Sequence, residues 1–174
     1  MKKAGNINHA VYGNFNQHLS RLSPDEVGKL YDNFVPASVD VLPIKSGAAE
    51  RSILLGLRRD EPRAWWTIGG RMAPGESPYE TASRVLRKEF GFDLGLELDR
   101  LKFLCVNSSV FALREQPPKE NGRHCLVIVF SLEIKSNEFL LSQTGKYREF
   151  GWFPRSEIIS GDFYPSIKAA VSCL

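Results

Sequence analysis

The chain is 174 residues long, 43% apolar and 25% charged, with a formal net charge of +3. That length and composition specify one globular unit able to bury its own core, with no internal repeat or low-complexity tract. A charge of +3 is too small to argue for nucleic acid, but it suits an anionic small molecule if the charges converge.

Residues 1–22 are polar, rich in Asn and without a strong period, and read as an arm. Ser23, Pro24 and Glu26 form a capping-box pattern that opens a short helix to about Phe34, and Pro36 ends it. Aliphatic and β-branched residues from Ala37 to Lys45 and from Arg51 to Arg58 predict two strands, a hairpin or near neighbours joined by the turn SGAAE. Trp65 to Ile68 reads as a further short strand that delivers the chain into a Gly-rich loop.

Ser77, Pro78 and Glu80 repeat the capping box, and Gly91 is placed to end the helix they start. Tyr79, Ala82, Val85, Leu86 and Phe90 share one face of it, which must be buried. Glu89 sits on the edge of that face. A carboxylate there is costly unless a cation or donor network compensates it, so Glu89 either serves a site, reaches solvent or pairs with an Arg. Beyond the helix, Leu101 to Ala112 and Cys125 to Ile134 predict strands separated by the polar surface loop REQPPKENGR, which either connects or closes over a ligand. Phe150 to Pro154 reads as the last strand and Ser166 to Leu174 as a C-terminal helix. Cys105, Cys125 and Cys173 are odd in number and lack metal-ligand spacing, which points to reduced thiols and a cytoplasmic protein. There is no signal peptide and no run of about 18 apolar residues, so neither secretion nor a membrane span is expected.

The stretch from Gly69 to Phe92, GGRMAPGESPYETASRVLRKEFGF, resembles the Nudix box, G-x5-E-x7-R-E-U-x-E-E-x-G-U with U apolar. Gly70, Glu76, Arg84, Leu86, Glu89, Gly91 and Phe92 match, while Val85 and Lys88 stand where glutamates are usual. The likeness implies an α/β (α+β) fold, an α/β/α sandwich with a mixed sheet around the box helix. It implies one domain over 1–174, with the arm and short helix (about 1–36) outside the core. Within that family the chain is similar to the GDP-mannose mannosyl hydrolases, whose box lacks the same two glutamates. The similarity extends to SVDVLPI, LLGLRRDEPRAWWTIGGRM and HCLVIVF.

This resemblance implies a hydrolase of a nucleotide sugar, Mg²⁺-assisted (or Mn²⁺), that releases sugar and a nucleoside diphosphate, and it implies a homodimer. The metal would sit on Gly70 and Glu89. Arg71 and Arg58 would face the substrate, Arg71 stabilising the leaving group, and Asp40 would contact the nucleotide sugar. Glu76 and Arg84 would brace the loop or touch substrate. Trp65 and Trp66 could stack on a base or sugar, one of them being core, and His124 opens a strand. Lys146 and Tyr147 stand where the similar enzymes carry a metal-ligating Gln and a His base, which leaves Glu149 as the nearest carboxylate for a catalytic role. Two other readings stay open: a Nudix pyrophosphohydrolase attacking phosphorus, and a non-catalytic nucleotide-binding domain.

Overall fold

The computed structural model describes residues 7–46, 50–60, 63–135 and 145–174. The order is α1 (Pro24–Asn33), β1 (Ala37–Ser46), β2 (Arg51–Arg58), β3 (Trp65–Trp66), β4 (Ile68–Arg71), α2 (Pro78–Val85), β5 (Lys102–Phe111), β6 (Arg123–Glu133), β7 (Tyr147–Pro154), α3 (Arg155–Ser160) and α4 (Pro165–Ser172). All seven strands join one mixed sheet. β1 runs through its middle, parallel to β6 from Ala37↔Leu126 to Ile44↔Glu133.

The sheet buries both faces, as the sandwich requires. Strand alternation sends Val39 and Val41 toward α2, where they meet Leu54, Ile68, Val85, Leu86 and Phe130. Leu42, Ile44, Ile53, Leu55, Val127 and Val129 pack instead on Ile158 of α3 and on Ile167 and Val171 of α4. Each such side chain taken fully out of water contributes roughly 1.5–3 kcal/mol. Among the described residues no helix is long and apolar enough to cross a membrane.

Several local expectations are revised. β1 and β2 pair only at their ends, from Ile44↔Ile53 to Ser46↔Arg51, because β1 gives its first residues to β4; residues 47–49 of the joining turn lie outside the described residues. The strand expected from Trp65 to Ile68 is two strands: Trp65–Trp66 pairs with β2, Ile68–Arg71 pairs with β1, and Thr67 is the crossing point. The last strand begins at Tyr147, since its long pairing with β2 reaches Arg58. α3 was not expected; at six residues, between Pro154 and Gly161, it is too short to show a period. Both capping boxes form as read, at Ser23 and at Ser77. The second helix, however, is α only to Val85, and Leu86–Phe90 is a wider π turn closed by Gly91. The side chain of Phe90 lies outside the described residues.

The loop after β5 is folded around a guanidinium. Arg114, whose side chain is fully buried, donates to Asp32 Oδ1 at 2.7 Å and to the carbonyls of Gln116, Pro117 and Gly122. This ties α1 to the loop. Gly28 is the contact point: a Cβ there would lie 1.9 Å from the Pro117 carbonyl oxygen. Gly28→Ala should gain about 1 kcal/mol of helix propensity yet lose more to the clash with backbone. A net destabilisation of about 1–3 kcal/mol is expected, read as a lower midpoint in urea unfolding.

Candidate active site

The Gly-rich loop is held by one carboxylate. Glu76 accepts from Arg84 Nε at 2.5 Å and Nη2 at 2.7 Å, from the Ala73 N–H at 3.0 Å and from Thr81 Oγ1 at 2.8 Å. Arg84 Nη2 also donates to the Arg71 carbonyl at 3.0 Å, which stitches the end of β4 to α2. A two-pronged guanidinium pair of this kind is stronger than a point-charge contact. It holds the Glu76 carboxyl down at about 2. These two residues brace the loop, and neither lines the cleft beside it. The arm lies on the loop's outer side, with Gln17 donating to the Pro74 carbonyl at 2.8 Å.

A cleft of about 210 Å³ opens where β4 and β1 meet β5, β6 and the Arg114 loop. Asp40, Arg58, Arg71, Arg123 and Lys146 line it, with Gly70 and Trp66. Asp40 stands opposite Gly69 in the β1–β4 register, and its Oδ1 packs so close that a Cβ on Gly69 would fall 1.7 Å away. Its Oδ2 accepts from Thr67 Oγ1 at 2.5 Å. Burial raises the Asp40 carboxyl above the ordinary carboxylate range, while Thr67, Lys146, Arg123 and Arg58 oppose the rise. Arg58 lies over the Trp66 ring at 5.6 Å, whereas Trp65 packs edge-on to Phe153 at 4.7 Å as core. Arg71 is exposed, 6.0 Å over the Tyr31 ring.

Lys146 ties Glu89 to β4. Its backbone N–H donates to Glu89 Oε2 at 3.1 Å, and its ammonium donates to the Gly69 carbonyl. Burial lowers the Lys146 ammonium, and the negative charges of Asp40 and Glu89 pull it back up. Glu89 is 6% exposed, and Lys88 Nζ is 3.6 Å from its Oε1. Gly145 lies against the same carboxylate; a Cβ there would meet Oε2 at 2.3 Å, at a φ of 112° that disfavours any other residue. Tyr147 is core: its hydroxyl donates to the Thr67 carbonyl at 2.6 Å and accepts from the Gly69 N–H at 3.3 Å.

Two expectations are corrected by this geometry. Glu149 is exposed on β7 and is not among the residues lining the cleft: a bulge in the β2–β7 pairing between Leu57 and Arg58 breaks the strand alternation, so Tyr147 is buried while Glu149, two residues on, stays exposed. Mg²⁺ or Mn²⁺ on Gly70 and Glu89 does not fit the donors present. A hard divalent ion wants several oxygen ligands, yet both oxygens of Glu89 already face nitrogen donors of Lys146 and Lys88. Among the described residues no three His, Cys, Asp or Glu side chains group to hold a metal. Arg123 and the inward ammonium of Lys146 were missed, since an Arg opening a strand and a Lys in a polar loop look solvated in sequence. His124 pairs with Ser108 at 2.8 Å on an exposed part of β6.

Because the folded pKa of Glu76 is about 2, against 4.5 for the free group, its contribution is fully present above pH 4.5 and is lost as pH falls toward 2. Glu76→Gln should therefore lower stability by about 2 kcal/mol at pH 7. It should also flatten the acid limb of the stability curve, read by urea unfolding at several pH values.

A family model described as the NUDIX domain matches residues 35–171. No curated protein matches the chain. Among solved structures, a MutT NUDIX hydrolase from Burkholderia pseudomallei is 21% identical with a TM-score of 0.64, covering 82% of this chain and 99% of that one. An Ap4A hydrolase from C. elegans is 15% identical with a TM-score of 0.58, covering 80% and 96%. The NUDIX domain of Shewanella oneidensis NrtR, complexed with ADP ribose, is 13% identical with a TM-score of 0.59, covering 84% and 94%. At such identities the structures speak to the fold alone, but the family model runs from the end of α1 to the end of α4, and the chain belongs to the Nudix domain family.

Proposed function

We propose that this Nudix domain hydrolyses a nucleotide sugar, GDP-mannose-like, with water attacking the anomeric carbon and a nucleoside diphosphate leaving. Family membership supports a hydrolase acting on a nucleoside diphosphate derivative. The C. elegans neighbour is an Ap4A hydrolase and the Shewanella neighbour holds ADP ribose, which supports the ligand class. One observation carries the finer reading: the cleft gathers four cationic side chains, Arg58, Arg71, Arg123 and Lys146, around a single deep carboxyl, Asp40. Nudix hydrolases generally use divalent metals such as Mg²⁺.

Attack at phosphorus requires charge to be quenched on the phosphoryl oxygens, a task for clustered metals. Attack at the sugar carbon requires only that the departing diphosphate be stabilised, for which fixed guanidinium and ammonium groups suffice. Asp40 accepts a proton from the attacking water, and a carboxyl lifted toward neutrality is a better base than an ordinary one. The bond from the anomeric carbon to the bridging oxygen breaks, and its electron pair leaves on the nucleoside diphosphate beside Arg71. A groove of about 1090 Å³ adjoins the cleft at Phe111, and Val110, Leu113 and Tyr164 give it an apolar wall for the nucleoside. A homodimer belongs to the same proposal and is checked by light scattering.

Hydrolysis of GDP-mannose in heavy-oxygen water should label the sugar; label on the nucleoside phosphate would mean phosphorus attack. Arg71→Ala should cost about a hundredfold in turnover. Asp40 must be ionised to act, so the acid limb of the kcat profile should rise as pH passes its raised pKa, above the usual carboxylate range. Asp40→Asn should remove that limb with a loss of about 10²–10⁴-fold.

A further inference from the structure

We infer that the ammonium of Lys146, seated on the Gly69 carbonyl in the cleft that Asp40 lines, is the resident cation of this site, and that it holds the substrate diphosphate without a divalent metal. The inference deepens the function proposed above and rests on its cleft. Four observations converge. The ammonium donates to the Gly69 carbonyl, one residue from the Gly70 expected to bind metal. The backbone N–H of Lys146 donates to Oε2 of Glu89, the buried glutamate at the end of the box helix. Lys88 brings a second ammonium to Oε1. The side chain nevertheless lines the cleft with Arg58 and Arg71, where a diphosphate would lie.

The physical case is one of charge balance. Two partly desolvated carboxylates need positive charge nearby, and in a site with three or more carboxylates a divalent ion supplies it. Here Val85 and Lys88 replace two of those acids, and a tethered monovalent cation is enough for the two that remain. A divalent ion added beside Lys88, Lys146, Arg58 and Arg123 would meet their repulsion, and among the described residues no three carboxylate, His or Cys side chains group to offset it. An ammonium has three hydrogens, and those not given to the Gly69 carbonyl can turn to a phosphoryl oxygen in the cleft. Lys146 then touches substrate directly.

The test uses the purified full chain with Mn²⁺ alone, GDP and inorganic pyrophosphate as probes, so it does not depend on which bond is hydrolysed. The wild-type chain should leave added Mn²⁺ free in an electron paramagnetic resonance titration at micromolar protein. It should bind GDP or pyrophosphate with a Kd that changes less than about twofold when EDTA replaces Mg²⁺. Lys146→Gln, which exchanges the ammonium for a neutral amide whose carbonyl oxygen can ligate a metal, should weaken EDTA-phase binding by about tenfold or more and make it respond to Mg²⁺. Stoichiometric Mn²⁺ on the wild type that Glu89→Gln abolishes, loss of wild-type binding in EDTA, or no binding of either probe would each overturn the inference. So would a folded Lys146→Met variant that binds as tightly as wild type in EDTA. The wild-type measurements decide the matter even where a variant fails to fold. A chain that binds in EDTA yet never releases sugar would sink the proposed reaction and leave the cation in place.

Discussion

A carboxylate withdrawn from water has to be met by positive charge or by donors, and this fold withdraws two of them within one strand of each other. Asp40 projects from β1 on the α4 side of the sheet, and Glu89 comes from the π turn on the other side. β4 and the start of β7 lie between them, and both elements are shaped by the need. Thr67, just before β4, and Gly69 within it receive Asp40, and Gly145 and Lys146, just before β7, receive Glu89. Tyr147 then locks the two strands together by bonding to Thr67 and Gly69 at once. The paired glycines thus serve packing before chemistry: one gives Asp40 room, and the chain turns out of β4 immediately afterwards.

Around this polar seam the rest of the molecule is conventional packing, and that is why the seam stays in place. Glu76 and Arg84 fix the distance between β4 and α2, so the carbonyls at the end of β4 do not drift relative to Glu89. Arg114 does the equivalent work on the other wall of the cleft, where its loop brings Glu115 and Gln116 to the rim. The two guanidinium networks differ in kind. Arg84 faces a carboxylate and one backbone carbonyl near solvent, whereas Arg114 is enclosed and satisfied mostly by carbonyls.

The box loop and both helix caps were legible in the sequence because each rests on local spacing: a capping box needs only Ser and Glu three residues apart, and a buried face needs only a period; the sandwich was legible through the family resemblance. The π turn was not, since a period of 3.6 carried through Leu86 to Phe90 places Glu89 on the same face either way. Nor was the split of the Trp65–Ile68 segment into two strands, a long-range choice made by β1 and β2. Among site residues, Asp40, Arg58 and Arg71 were found through the resemblance and do share one cleft. Glu149 was selected as the nearest acid in sequence, and strand pairing took it elsewhere. Lys146 was read as standing in the place of a metal-ligating Gln; only the fold shows that its ammonium is turned inward onto the Gly69 carbonyl and lines the cleft.

The parallel pairing of β1 with β6 has a consequence for how the chain is made. Ala37 finds its partner only at Leu126, so the central strand of the sheet has no neighbour on that side until three-quarters of the chain has been synthesised. Until then β1 has only β4 and the tip of β2 to hold it. Non-local pairings of this sort slow folding, because the long intervening loop must close before the contact gives anything back. On the ribosome, the hydrophobic run around Val39, Val41 and Leu42 therefore waits half-covered, and the polar Asp40 and Pro43 within it interrupt what would otherwise be an adhesive nascent strand.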